Sequence, residues 1–395
     1  MDRALREELQ SLRARDLYRE LRWVEGAQGP TVRWRGREVI LLAGNNYLGL
    51  ADHPRVKEAA ARAAREFGTS ASASRLISGS MELHRALEEK LARFKGTEEA
   101  LVFGSGYLAN LGLIGALVGP GDAVFSDALN HASIVDGCRL SRAEVRVFPH
   151  KDLGALEEAL EGARASRRKL IAVDGLFSMD GDLAPLDRLV PLARRQGAWL
   201  VVDEAHATGC LGPGGRGAAA HFGVAAEVEV LMGTLGKALG AYGAFVCGSK
   251  TLVEYLVNRA RSFIFSTALP PPVLAAAIAA LEVIEEEPER LAALRGNADY
   301  FREGLASLGL NFLGSLSQIL PILVGRAPDA LAMASELLDA GVFLLAIRPP
   351  TVPEGTSRLR ASVMATHSRA HLDRALEAIG KAARKVGLGG GALRA

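Results

Sequence analysis

Cysteine is scarce in this chain. Cys138, Cys210 and Cys247 are the only three in 395 residues, with no CxxC pair and no matched spacing. That argues against a disulfide or zinc framework, and the three read as small buried hydrophobes. An excess of either charge is also lacking. Lys+Arg number 47 against 45 Asp+Glu, a net charge of +2, so no field for nucleic acid or an anionic membrane is implied. Gly, Pro or a charge interrupts every apolar run before it could span a bilayer. The first residues, MDRALREELQSLRARDLYRELRW, contain no apolar signal core and predict an amphipathic helix, so the expected location is cytoplasmic. No repeat of solenoid length is visible, and no metal site is expected.

What is present is an ordinary globular composition, 49% hydrophobic and 23% charged, long enough for one larger and one smaller domain. The middle of the chain alternates short apolar runs with helix-length segments. EALVF, DAVFSD, KLIAVDG, AWLVVDE, EVLMG and GAFVCG read as buried strands, and near-continuous apolarity fits strands covered on both faces. The expected fold is α/β, with a mostly parallel sheet and helices on both faces. After about residue 270 the texture changes to a long helix, a break at Pro288, a second helix and three short strands, QILPILVG, VFLLAIRP and SRLRASVM. The expected divisions are 1–50 (a helix and a short β segment), 51–270 (the large α/β domain) and 271–395 (a smaller α+β domain). The tail GLGGGALRA is expected to fray.

Ligands of open parallel sheets sit at the carboxyl ends of the strands, so polar residues there are informative. AWLVVDEAHATG ends a strand with Asp203 and places His206 three residues on. Asp203 is either a helix cap or the partner of a protonated ring nitrogen. Lys237 stands in GTLGKALG, after the next strand, between Gly236 and Gly240. A lysine there should snorkel to water unless something approaches its backbone closely. A nucleotide phosphate loop is excluded, because Leu231 and Ala238 occupy positions that such a loop reserves for glycine and Ser/Thr. A desolvated lysine is a nucleophile toward aldehydes. Together with an Asp at a strand end and a glycine-rich anion site, it meets the needs of pyridoxal phosphate. Ser105, Gly106 and Tyr107, in LVFGSGYLAN, offer N–H groups at a helix start. His131, in SDALNHASIVDG, is either a helix cap or a ring stacked on the cofactor.

Taken in order, NNYLGL, FGSGYLAN, NHASI, DGLFSMDGD, VDEAHATG, GTLGKALG and FSTALPP closely resemble the α-oxoamine synthases, fold-type I pyridoxal-phosphate enzymes, over nearly the whole chain. The resemblance implies a seven-stranded sheet in the large domain and a homodimer with the active site at the subunit interface. It assigns Lys237 to the covalent anchor of the cofactor and Asp203 to the pyridine nitrogen. His131 matches the stacked ring, and His206 and Ser178 lie toward the phenolic oxygen. Gly106, Tyr107 and Thr234 match the phosphate site, which Ser266 and Thr267 reach from the other subunit. Asn45 and Arg360 match the groups that hold the amino-acid carboxylate.

The reaction implied is condensation of a small amino acid with an acyl-CoA thioester, releasing CoA and giving a 2-amino-3-keto acid or its decarboxylated product. Within the family, Asp174 and NNYLGL favour the branch that joins glycine to acetyl-CoA. The small residues of SASASRLISGS, near where the acyl chain should lie, predict relaxed acyl specificity that extends to pimeloyl-CoA. A strict alanine and pimeloyl-thioester enzyme of biotin synthesis is the alternative. An aminotransferase or racemase would share the Lys–Asp pair without releasing a thiol.

Overall fold

The computed structural model describes residues 1–388, so the expected fraying of the tail falls mainly outside the described residues. Contacts divide the chain into two compact units. One comprises Leu48–Ser178 and Asp182–Leu291, the other Met1–Tyr47, Met179–Gly181 and Ala292–Ala395.

The larger unit is built on a seven-stranded sheet. Its strands are β1 (Glu99–Phe103), β2 (Ala123–Asp127), β3 (Glu144–Phe148), β4 (Lys169–Asp174), β5 (Trp199–Asp203), β6 (Val230–Thr234) and β7 (Ala244–Gly248). They lie in the order β1-β7-β6-β5-β4-β2-β3. Strands β3, β2, β4, β5 and β6 are mutually parallel, and β7 runs antiparallel to both β6 and β1. The central strands are apolar almost throughout because helices cover both faces. The six strands expected from sequence are all present. The seventh, β3, is exposed or half-buried at every position but its last, Phe148, and forms the edge, with Val147 65% exposed.

One result of this topology matters for chemistry. Asp127, Asp174, Asp203 and Thr234 each end a parallel strand, so the carboxyl edge of the sheet carries three carboxyl groups and a hydroxyl. Helix Gly106–Leu117 follows β1, and helix Ala132–Ser141 follows β2 and packs against it. Their inner faces share an apolar cluster that includes Leu113, Ile114, Ile134 and Cys138. All three cysteines are buried, and none forms a disulfide. Helix Pro271–Glu286, begun by a proline whose missing N–H costs nothing at that position, packs on helices Pro54–Phe67 and Glu82–Lys95. The contact division therefore places this helix in the larger unit, whereas the change of sequence texture put it after the boundary at 270.

The smaller unit opens with helix Asp2–Ala14, shorter than the expected amphipathic stretch. Asp16 takes a left-handed φ of 56° that ends it. A hairpin follows, Thr31–Trp34 with Arg37–Leu41. Val342–Phe343 adds to this hairpin in parallel, while Ala346–Ile347 pairs with Ser357–Ser362, itself antiparallel to Ile319–Gly325. The run VFLLAIRP, expected as one strand, is thus two short strands serving two sheets. Among the described residues no helix is long and apolar enough to cross a membrane.

Candidate active site

Helix Gly106–Leu117 starts with Ser105, whose Oγ accepts a hydrogen bond from Leu108 N at 3.2 Å. The first N–H groups of a helix have no carbonyl within the helix, so Gly106 and Tyr107 present donors to an anion. Thr234, at the end of β6, faces the same place. A Cβ on Gly106 would stand 2.8 Å from Thr234 Cγ2, so only glycine lets the two approach. Thr234 Oγ1 is buried and has no hydrogen-bond partner. A buried hydroxyl left unpaired costs free energy unless a ligand takes it. Tyr107 itself directs its phenol to Asp136, a bond that raises its pKa.

Behind this cradle lies Asp203, only 3% exposed. Its Oδ1 accepts from Ala205 N at 2.9 Å and its Oδ2 from Asn110 Nδ2 at 2.8 Å. The same Asn110 amide donates to Ser133 Oγ at 2.9 Å, and Ser133 Oγ meets His131 Nδ1 at 2.7 Å. His131 also caps helix Ala132–Ser141, its Nδ1 accepting from Ser133 N at 3.3 Å. The capping reading of His131 is therefore real, and it also fixes the ring. Burial lowers the His131 pKa, and Lys237 lowers it further against the opposing charge of Asp203. Lys237 acts in the same direction on Asp174. His131, Asp174, Asp203 and Lys237 thus form one electrostatic group at the carboxyl edge.

The segment bearing Lys237 is held by close backbone approaches. Gly240, at φ +62°, would place a Cβ 2.3 Å from Ala51 N. The close neighbour anticipated from the flanking glycines is, at Gly240, the protein's own backbone. A Cβ on Gly209, the last residue of DEAHATG, would lie 2.7 Å from the Ala238 Cβ, so that motif and GTLGKALG touch. His206 is buried within the former. Ser178 lies in the turn after β4. Ser266 and Thr267 line a small cavity with Arg75, His84, Phe103 and Gly104.

In the smaller unit, Arg360 is 9% exposed and donates through Nη2 to Tyr47 Oη at 3.2 Å and Asn45 Oδ1 at 3.4 Å. Its neighbours serve elsewhere: Arg358 pairs with Asp180, and Arg348 donates to the carbonyls of Asp16 and Tyr18. Arg360 is not the surface arginine its arginine-rich surroundings would allow.

Sequence reading passed over Asn110, Ser133 and Asp174 as site residues. All three lie inside motifs that had drawn notice, and the strand-end rule that singled out Asp203 applies equally to Asp174.

The model of the family "Aminotransferase class I and II" matches residues 37–379. The chain is 57% identical over 391 residues to the 8-amino-7-oxononanoate synthase of Geobacter sulfurreducens, covering 98% of this chain and 100% of that one. It belongs to the α-oxoamine synthases of this family. The corresponding protein of Pelobacter propionicus is 51% identical with the same coverage. Among solved structures, the serine palmitoyltransferase of Sphingomonas wittichii matches with a TM-score of 0.92 at 34% identity, covering 98% of each chain. The 8-amino-7-oxononanoate synthase of Francisella tularensis matches with a TM-score of 0.76 at 30% identity, covering 88% of this chain and 98% of that one. This family member is a pyridoxal-phosphate-dependent acyltransferase. The orphaned Thr234 hydroxyl, the Gly106 cradle and the doubly bonded Asp203 carboxyl fit that cofactor.

Proposed function

We propose that the protein is an 8-amino-7-oxononanoate synthase, joining L-alanine to a pimeloyl thioester with release of the thiol and carbon dioxide. The observation that carries this reading is full-length identity of 51% and 57% to two proteins of that name. Sequence alone favoured the glycine and acetyl-CoA branch; the relatives support the alternative instead.

Pyridoxal phosphate supplies, when bound, an aldehyde for a lysine amine and a ring that draws electrons from the amino acid's Cα. Lys237 would supply the amine that anchors the cofactor, and its free amine would serve as the base for the Cα proton. Asp203, its two oxygens oriented by Ala205 N and Asn110 Nδ2, would face the cofactor's ring nitrogen. His131 would hold the ring from one side, and Ser178 and His206 would serve its phenolic oxygen. The N–H groups of Gly106 and Tyr107 and the Thr234 hydroxyl take the phosphate, joined across a homodimer by Ser266 and Thr267 of the partner subunit. Arg360 forks onto the substrate carboxylate beside Asn45.

Thiol release measured with paired substrates tests the assignment. Alanine with pimeloyl-CoA is expected to exceed glycine with acetyl-CoA in kcat/KM by at least about tenfold, the scale set by a few buried methylenes. The reverse order would restore the glycine branch. Amino-group transfer without thiol release would remove the acyltransferase reading altogether.

A further inference from the structure

Asp174 and Asp203 are direct partners in register on the parallel strands β4 and β5. Neighbours in register on parallel strands direct their side chains to the same face. Each residue is 3% exposed. Two ionised carboxylates side by side in such a place repel strongly, so one of them must hold a proton or meet its own cation.

We propose that Asp174 is the proton-bearing member of this pair, a positioning residue whose neutrality leaves the negative charge on Asp203. The proposal rests on the reading of Asp203 as partner of the cofactor's ring nitrogen.

The donors decide which member keeps the proton. Asp203 receives N–H groups on both oxygens, from Ala205 and Asn110, and donors stabilise the ionised form. Asp174 Oδ2 receives one, from His131 N at 2.6 Å, and a neutral carboxyl can still accept that bond through its carbonyl oxygen. The surrounding charges agree. Burial and the charges of Asp203 and Asp127 push Asp174 well above the usual carboxylate range, and the His131 N–H and the Lys237 ammonium oppose this only in part. His131 is held neutral by burial, so Lys237 is the cation that both Asp174 and His131 sense, and one cation balances one carboxylate. Lys237 gives up even that role when its nitrogen is engaged elsewhere.

Asp174 also locks the loop before helix Ala132–Ser141. Its backbone N–H donates to Asn130 Oδ1 at 2.9 Å, and Asn130 Nδ2 reaches back to the Ala172 carbonyl at 2.7 Å. A carboxyl that is neutral and an acceptor thus holds His131 in place without competing for the cofactor's proton.

The test uses the holoenzyme. Infrared difference spectra of wild type against Asp174→Asn, at neutral pH, should show the carbonyl stretch of a protonated carboxylic acid that the variant lacks. The pH midpoint of the cofactor's visible absorption should stay in place in Asp174→Asn, whose amide is neutral and keeps the acceptor. Absence of the acid band in wild type, or a midpoint displaced by about one pH unit or more, would overturn the proposal, since that is the scale of a lost neighbouring charge. Asp203→Asn separates the two readings. If that variant kept the wild-type cofactor spectrum, the role of Asp203 would fail, whatever the acid band of Asp174 showed.

Discussion

Asn110 Nδ2 donates to Asp203 Oδ2 at 2.8 Å, a bond across 93 residues of sequence between the helix that begins the anion cradle and the strand that ends in the aspartate. Asn110 is fully buried, and it holds Ser133 with the same amide group. One side chain therefore sets both the carboxylate and, through Ser133, the imidazole of His131.

Replacing it should show this. Asn110→Ala removes a donor to a charged acceptor, worth about 1.5–3 kcal/mol. Cofactor affinity, followed by absorbance titration, is expected to fall about tenfold or more. An affinity equal to wild type would mean that Asp203 does not depend on Asn110.

Gly106→Ala tests the cradle. The added Cβ would press on Thr234 Cγ2, forcing apart the helix start and the end of β6. Overpacking of this kind costs about 1–3 kcal/mol, so phosphate-bearing cofactor should bind roughly ten- to a hundredfold more weakly. Pyridoxal, which lacks the phosphate, should lose much less. Equal losses for both would place the phosphate elsewhere.

Lys95 and Glu204 form a buried ion pair with both side chains at most 1% exposed. Lys95 also reaches the Arg216 carbonyl and Thr208 Oγ1, and Glu204 accepts from Ala219 N at 2.7 Å. Breaking such a pair strands a buried charge, a cost of about 3–5 kcal/mol. Lys95→Met should therefore lower the midpoint of denaturant unfolding sharply, and adding Glu204→Gln should recover part of the loss. No change in midpoint would show the pair to be dispensable.

The pH dependence of stability should carry the mark of His150. Its Nδ1 lies 2.9 Å from Asp127 Oδ1 and its Nε2 2.9 Å from Asp182 Oδ2. Burial pulls its pKa down, but the two carboxylates outweigh burial and raise it to about 9. A histidine raised on folding stabilises fully below its unfolded pKa, about 6.5, and loses that contribution as pH rises through the folded value. Unfolding midpoints of wild type should fall between pH 6.5 and 9 relative to His150→Gln. Parallel profiles would refute the bridge.

Part of the candidate site was legible in the sequence, and the omissions share a cause. His131, Asp203, His206 and Lys237 stand out in short local motifs, and the fold brings His131, Asp203 and Lys237 into one electrostatic group. Lys95–Glu204 and Asn110–Asp203 are pairings between segments 109 and 93 residues apart, which only the sheet order brings together. The same holds for the missed strand β3, an edge strand reading EVRVF, in which Glu144 and Arg146 break the apolar run that announced its neighbours. VFLLAIRP looked like one strand because local pattern cannot show that its halves pair with different partners.

The central claim is that Lys237 holds the cofactor at the edge where Asp203 ends β5. Borohydride reduction of the holoenzyme followed by peptide mass spectrometry tests it directly. The account predicts a pyridoxyl-phosphate adduct on the peptide containing Lys237, and none on the protein carrying Lys237→Ala. A reduced adduct on another lysine of the wild type, or one that persists in Lys237→Ala, would contradict it.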